Sequence, residues 1–321
     1  MTKHAKTIKR VIRYKQKQSV DSSLMIAFIC QPYLAVLQKM LYEKYWKNEV
    51  SEVLINVNGC NDTTRQFIVD LWSEATYIDE IPTEIRQGTA FDRLYPMVKG
   101  KVVITLDSDC FIYKKGIIRK HVDSILSGKH DAVGSVGHHI NYPELGEKII
   151  KKYGTVRLNP FMSFWKRSIV DNIPNNTFTV FTCRKGEKHF LCDELDKDIE
   201  IDVMGYFSLQ FFELSDKIKH IPTTKIGSYV HVSALSSIYR RCFRGLESKN
   251  VHESKKNKER IGYWAWYYLI YEATKDRVPF PDYNKEYEKE FIKEVEKADV
   301  TLKEIIKEAD KFKEEHKELF K

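Results

Sequence analysis

The chain has 321 residues, of which 42% are hydrophobic and 31% charged, with a formal net charge of +8. That apolar content suffices for a sizeable core and excludes wholesale disorder, and the length corresponds to about two domains. No apolar run reaches the ~18 residues of a membrane span and no secretory pattern opens the sequence, so a cytoplasmic protein whose six cysteines stay reduced is expected.

Residues 1–20 carry Lys3, Lys6, Lys9, Arg10, Arg13, Lys15 and Lys17 and no acid. They read as a basic arm, either solvated or in contact with phosphates, acidic lipid or nucleic acid. Residues 24–30 are a short apolar strand, and 32–46 have helical spacing through Leu34, Leu37, Leu41 and Tyr45. A strand over 53–57 runs into the turn-forming residues 58–62, then a helix over 63–73 and a weaker strand over 75–81. A helix over 89–98 contains Pro96, which disfavours its last turn. Residues 102–106 are a continuous β-branched run, the pattern of a strand buried on both faces. Strands alternating with helices predict a parallel sheet with right-handed crossovers.

Further on, the pattern predicts a helix over 115–127 and a strand over 131–138. Residues 154–170 mix strand and turn signals, and polar residues 175–198 suit a hairpin and a loop. A helix follows over 203–214, with short strands over 217–222 and 227–232. The tail then changes character. Residues 261–273 are crowded with Tyr263, Trp264, Trp266, Tyr267, Tyr268 and Tyr271, and 284–321 suit one or two exposed amphipathic helices. The rings are too many for a solvated helix, so they pack on the preceding domain or on lipid. A second basic cluster, Arg240, Arg241, Arg244, Lys255, Lys256, Lys258 and Arg260, lies beside them and suits an anionic membrane surface.

Asp107-Ser108-Asp109 closes the strand over 102–106. Ligands of open parallel sheets gather at the carboxyl ends of such strands. Two carboxylates there are costly unless a cation or hydrogen bonds compensate them. Mg²⁺ is usually held by one or two carboxylates plus substrate phosphates, and Mn²⁺ suits the same oxygens. The tripeptide therefore reads as a divalent-cation and nucleoside-diphosphate site, or else as an acidic turn. Arg86 and Arg93 precede this strand and are candidates to touch phosphates, with plain surface charge as the alternative. Cys183, His189 and Cys192 form the other cluster with metal-binding residue types, but their spacing fits no common zinc pattern.

Three stretches resemble family 2 glycosyltransferases of the GT-A fold. "VLINVNGCNDTT" (residues 53–64) is similar to the family's second strand and acidic turn. "GKVVITLDSD" (100–109) resembles its metal-binding strand. "IDVMGYFSLQFFELSDKIKHIP" (201–222) resembles the acidic residue, helix and strand after its acceptor region. The resemblance implies an α/β fold with a mostly parallel, Rossmann-like central sheet flanked by helices. The chain then divides into the basic arm 1–21, a GT-A catalytic domain 22–235 and a helical C-terminal extension 236–321. It also implies a hexosyltransferase-type enzyme using a nucleoside-diphosphate sugar and Mn²⁺ or Mg²⁺. Asn58 and Asp62 would help hold the nucleotide. Asp107 would contact the ribose or a metal-bound water, Asp109 would ligate the metal, and His231 would complete its site. Asp202 would be the general base, giving inversion.

Each assignment has a rival. Asp202 precedes a helix and could cap it, with Glu194, Asp196, Asp198 and Glu200 as neighbouring bases. His231 could be a core histidine, and the aromatic residues of 159–165 could shape a sugar pocket or only fill the core. Val57 stands where the family usually has the first acid of its turn, so the resemblance leaves the nucleotide base open. The expected acceptor is a hydroxyl on a saccharide, lipid-linked or protein carrier. Peripheral attachment to the inner membrane surface is a second expectation; nucleic acid is not an expected partner. The competing classes are a sugar-nucleotide nucleotidyltransferase, disfavoured because no Gly-rich basic loop follows the first strand, and a non-catalytic polyanion- or membrane-binding module.

Overall fold

The computed structural model describes residues 8–10, 20–29, 31–137, 143–232, 235, 257–280, 285, 288–289, 291–293, 295–296 and 301–321. Most of the basic arm, and Arg240, Arg241, Arg244, Lys255 and Lys256 of the second basic cluster, lie outside these residues. The side chains of Lys258 and Arg260 do too.

The elements follow in chain order: β1 (Ile8–Arg10), β2 (Ser22–Ile29), α1 (Pro32–Leu41), β3 (Glu52–Asn58), α2 (Asp62–Leu71), β4 (Tyr77–Ile81), α3 (Gln87–Leu94), β5 (Val102–Asp107), β6 (Cys110–Ile112) and α4 (Ile117–Leu126). Then come β7 (Ala132–Gly137), α5 (Pro143–Tyr153), β8 (Arg157–Lys166), α6 (Arg167–Val170), β9 (Phe181–Cys183), β10 (Ile199–Ile201), α7 (Gly205–Leu214), β11 (Ile218–Ile221), β12 (Thr224–Lys225) and β13 (Tyr229–His231). The C-terminal helices are α8 (Asn257–Thr274) and α9 (Leu302–Glu315). The helix expected over 89–98 is shorter at its C-terminal end, near Pro96: α3 stops at Leu94 and a 3₁₀ turn, Tyr95–Met97, follows.

The main sheet has eight strands in the order β1-β4-β3-β2-β5-β8-β7-β11. Strands β2, β3, β4 and β5 pair in parallel, as the alternation of strand and helix requires. Two departures from an all-parallel sheet appear. Strand β8 inserts antiparallel between β5 and β7. Part of the basic arm, for which no strand was expected, pairs antiparallel with β4 as β1. The sheet is therefore mixed but mostly parallel.

Period-two alternation sorts the core into two layers. Leu24, Ile26 and Phe28 face α1, α2, α4 and the C-terminal helices, while Met25 and Ala27 face α3, α5 and α7. The aromatic tail packs on the first layer. Trp264, Trp266, Tyr267 and Tyr271 are buried, with Trp266 stacked on Phe312 and Tyr271 edge-on to Tyr33 of α1. Of the two settings expected for these rings, the protein core is the one observed for these four, while Tyr263 is exposed. Helix α9 is pinned by the capping box of Thr301 and Glu304 and buries Ile305 and Ala309. No helix among the described residues is long and apolar enough to cross a membrane.

The approach to β5 depends on Gly100. A Cβ there would lie 2.4 Å from Ser23 N and 2.5 Å from the Ser22 carbonyl carbon. Both are backbone atoms of the central strand β2 and cannot swing aside. The Gly100 N–H donates to Ser23 Oγ at 2.7 Å, and Ser23 Oγ donates in turn to the buried Glu52. Gly100→Ala is expected to cost at least the ~1–3 kcal/mol typical of overpacking, read as a lower urea midpoint. An unchanged midpoint would show that β2 can yield there.

Candidate active site

Strand β5 delivers Asp107 to its carboxyl end, and a tight turn then carries Asp109 into β6. Strand β13 pairs antiparallel with β6 and sets His231 opposite Cys110. The Val232 N–H donates to the Asp109 carbonyl at 3.0 Å, which locks that register. His231 Nε2 thereby comes to 3.7 Å from Asp107 Oδ2 and 3.5 Å from Asp109 Oδ1. One ligand atom from each of the three residues falls within 4.8 Å of the others, the sole such group among the described residues. The Phe161 ring stacks on the imidazole with centroids 4.2 Å apart and fixes its plane. Phe161, from the aromatic run over 159–165, is buried behind the site rather than offered to a sugar.

Two glutamines hold the turn. Gln38 on α1 is fully buried, and its Nε2 donates to the carbonyls of Cys110 at 2.7 Å and Ser108 at 3.1 Å. Gln87, the first residue of α3, donates to Asp107 Oδ1. Neither emerged from the sequence reading. Gln38 does leave a sequence signal, as an amide inside the otherwise apolar "PYLAVLQKML".

Burial, then the Asp109 charge, pushes the Asp107 carboxyl up to about 7, against the pull of His231, Gln87 and Arg157. At His231, burial works against protonation. The hydrogen bond and charge of Asp109, with the charge of Asp107, outweigh it and hold the imidazole above its ordinary value. Two carboxylates and one imidazole are a donor set that suits a divalent cation, with positions left for phosphate oxygens.

A cation must displace the protons of Asp107 and His231. Both folded-state values lie above their unfolded ones. The metal-free fold therefore loses stability as pH rises from the acid range through about 7, where Asp107 ionises. A cation bound at these ligands reverses that loss. The melting-temperature gain from Mn²⁺ is expected to grow from pH 5.5 to pH 8, with protons released on binding. A gain independent of pH would place the ion elsewhere.

The other expected site residues are placed as follows. Asn58 is fully buried; its Nδ2 donates to Asn56 Oδ1 at 2.7 Å, and its Oδ1 accepts from Ile85 N–H at 3.2 Å. It thus ties the turn after β3 to the segment leading into α3. Asp62 is exposed at the start of α2 and pairs with Arg65, while Asn61 is the residue that caps the helix. Arg93 is committed to Asp79 through contacts of 2.7 and 2.9 Å. Arg86 is exposed at the N-terminal end of α3, next to Gln87.

Asp202 follows β10 and is half exposed. Its Oδ2 lies 2.8 Å from Arg157 Nη1, and its Oδ1 accepts from Val203 N–H at 2.7 Å. The capping alternative fails. Buried Met204, in the left-handed conformation at φ 59°, holds the cap position and α7 begins at Gly205. Glu194, Asp196, Asp198 and Glu200 are exposed in and beside the loop between β9 and β10, where Asp198 accepts from Lys185 N–H. The Cys183, His189 and Cys192 side chains form no metal-sized cluster, and burial pushes the Cys183 thiol up to about 11.

No family model matches the sequence, and no curated protein matches it. Several solved structures are similar. A mannosyltransferase from Pyrobaculum calidifontis, in complex with GDP-Man and Mn²⁺, is 13% identical with a TM-score of 0.47; the match covers 84% of this chain and 69% of that one. S. aureus TarS is 12% identical with a TM-score of 0.43, over 78% of this chain and 43% of TarS, so this chain spans less than half its length. Glucosyl-3-phosphoglycerate synthase from Mycobacterium tuberculosis, in complex with phosphoglyceric acid, is 16% identical with a TM-score of 0.44, over 67% and 73%. By its own strand order and pairing, the chain has a mixed, mostly parallel, Rossmann-like α/β architecture with C-terminal helices.

Proposed function

We propose that the protein is a divalent-metal-dependent glycosyltransferase that moves a sugar from a nucleoside-diphosphate sugar to an acceptor hydroxyl with inversion. The observation that carries this reading is the convergence of Asp107, Asp109 and His231 at the carboxyl end of β5. These residues would hold Mn²⁺ or Mg²⁺, which when bound supplies positive charge for the departing diphosphate. Asp107, steadied by Gln87, sits where it can also meet the ribose, as the sequence resemblance implies. The exposed Arg86 beside Gln87 is available to phosphates, whereas Arg93 braces β4 through Asp79.

Asp202 serves as general base, because its half-exposed carboxylate is reachable by an acceptor hydroxyl. A base on the face opposite the leaving group gives inversion. The acceptor hydroxyl belongs to a saccharide, lipid-linked or protein carrier. Trp264, Trp266, Tyr267 and Tyr271 of α8 are buried and so are not offered to a membrane.

Incubation with uridine and guanosine diphosphate sugars and Mn²⁺ tests the reading. Release of free nucleoside diphosphate, suppressed by a chelator, is the expected outcome. Pyrophosphate exchange would indicate nucleotidyl transfer instead. No turnover, with salt-sensitive polyanion binding, would indicate a non-catalytic module.

A further inference from the structure

Arg157 contacts the proposed general base and did not emerge from the sequence reading. It opens β8 in register with Gly137 of β7. Its side chain is 13% exposed. Nη1 donates to the Val203 carbonyl at 2.7 Å and lies 2.8 Å from Asp202 Oδ2. Nε is buried without a hydrogen-bond partner.

The backbone makes room for this guanidinium. A Cβ on Gly137 would lie 2.5 Å from Asn159 Oδ1 and 2.9 Å from both Cγ and Nε of Arg157. A Cβ on Gly205 would meet Ile201 Cγ2 at 2.5 Å, and Arg157 Cδ lies 4.0 Å from the same point. A planar, permanently charged guanidinium suits such a slot, because its donors are fixed relative to one another. Among the described residues, Arg157 is the charged side chain paired with Asp202. With Oδ2 on Arg157 and Oδ1 on Val203 N–H, the carboxylate plane is set, and each oxygen keeps a lone pair for a substrate proton.

Resting on the transferase reading above, we propose that Arg157 is the positioning residue of the general base: it holds Asp202 toward the acceptor hydroxyl from a slot kept open by Gly137. Its effect therefore falls on turnover rather than on donor binding, and it passes through Asp202. A purely structural arginine would act independently of that carboxylate.

A double-mutant cycle decides this. Nucleoside diphosphate release from uridine and guanosine diphosphate sugars with Mn²⁺ is measured for the wild type, Arg157→Gln, Asp202→Asn and the double variant. Donor binding is followed in parallel by thermal shift. Arg157→Gln should lower kcat about 100-fold, the lower end of general-base effects, with donor KM within about threefold. Added to Asp202→Asn it should cost less than about threefold. Arg157→Lys should keep part of the rate, since it retains the charge but not the two-way contact. Unchanged kcat in Arg157→Gln, or fully additive losses in the double variant, would overturn the proposal. A wild type that binds no donor with Mn²⁺ would overturn the transferase reading itself, and this role with it.

Discussion

Asp109→Asn is expected to abolish metal-dependent turnover while leaving the fold intact. Asp109 is 7% exposed, and its carboxylate faces the imidazole of His231. The amide keeps the shape but removes one ligand charge and turns a donor toward the site. Losing a group that merely supports a metal ligand costs about 10–100-fold in affinity or activity, so losing the ligand itself should exceed about 100-fold. The backbone link to Val232 does not depend on the side chain, and the change removes a like charge from beside Asp107. It also weakens the partner of protonated His231, so the two effects oppose each other and the metal-free melting temperature should change little. Turnover at limiting Mn²⁺ checks the assignment, and wild-type rates in this variant would exclude it. Asp107→Asn should weaken donor binding more than metal binding, because Gln87 can still hold the side chain.

Asp202→Asn should lose about 10²–10⁴-fold in rate, the usual contribution of a general base. The amide oxygen can still accept from Val203 N–H, so the local backbone is kept. Donor binding should survive because the metal ligands are untouched. With Met204 at the cap, a rate loss cannot be assigned to an unravelled helix start. Near-normal turnover, or a product with the donor's anomeric configuration, would remove Asp202 from the mechanism. Asp198 and Glu200 would then be the bases to test.

What the sequence revealed was mostly local. The run over 102–106 and its two acids lie within a few residues of each other, so strand and site were read together. The parallel core was legible because β2 to β5 alternate with helices. Strand β8 was not, because its antiparallel insertion between β5 and β7 is a long-range pairing. Gln38 reaches a carbonyl 72 residues away and Arg157 one 46 residues away; no spacing rule connects such partners. Arg93 shows the converse. Its place before β5 suggested phosphates, but the buried Asp79 on β4 claims it. The aromatic tail was legible as needing burial, but what buries it was decided by Tyr33, Phe111 and the C-terminal helix.

The central claim is that Asp107, Asp109 and His231 form a metal site that binds a sugar nucleotide. Thermal unfolding with uridine and guanosine diphosphate sugars, with and without Mn²⁺, tests it most directly. A ligand at 100 times its Kd stabilises the native state by about 2.7 kcal/mol, a readily measured shift. The account predicts that at least one nucleotide sugar raises the melting temperature only when Mn²⁺ is present, and that Asp109→Asn removes the gain. No shift with any donor, or an equal shift in the presence of chelator and in Asp109→Asn, would contradict it.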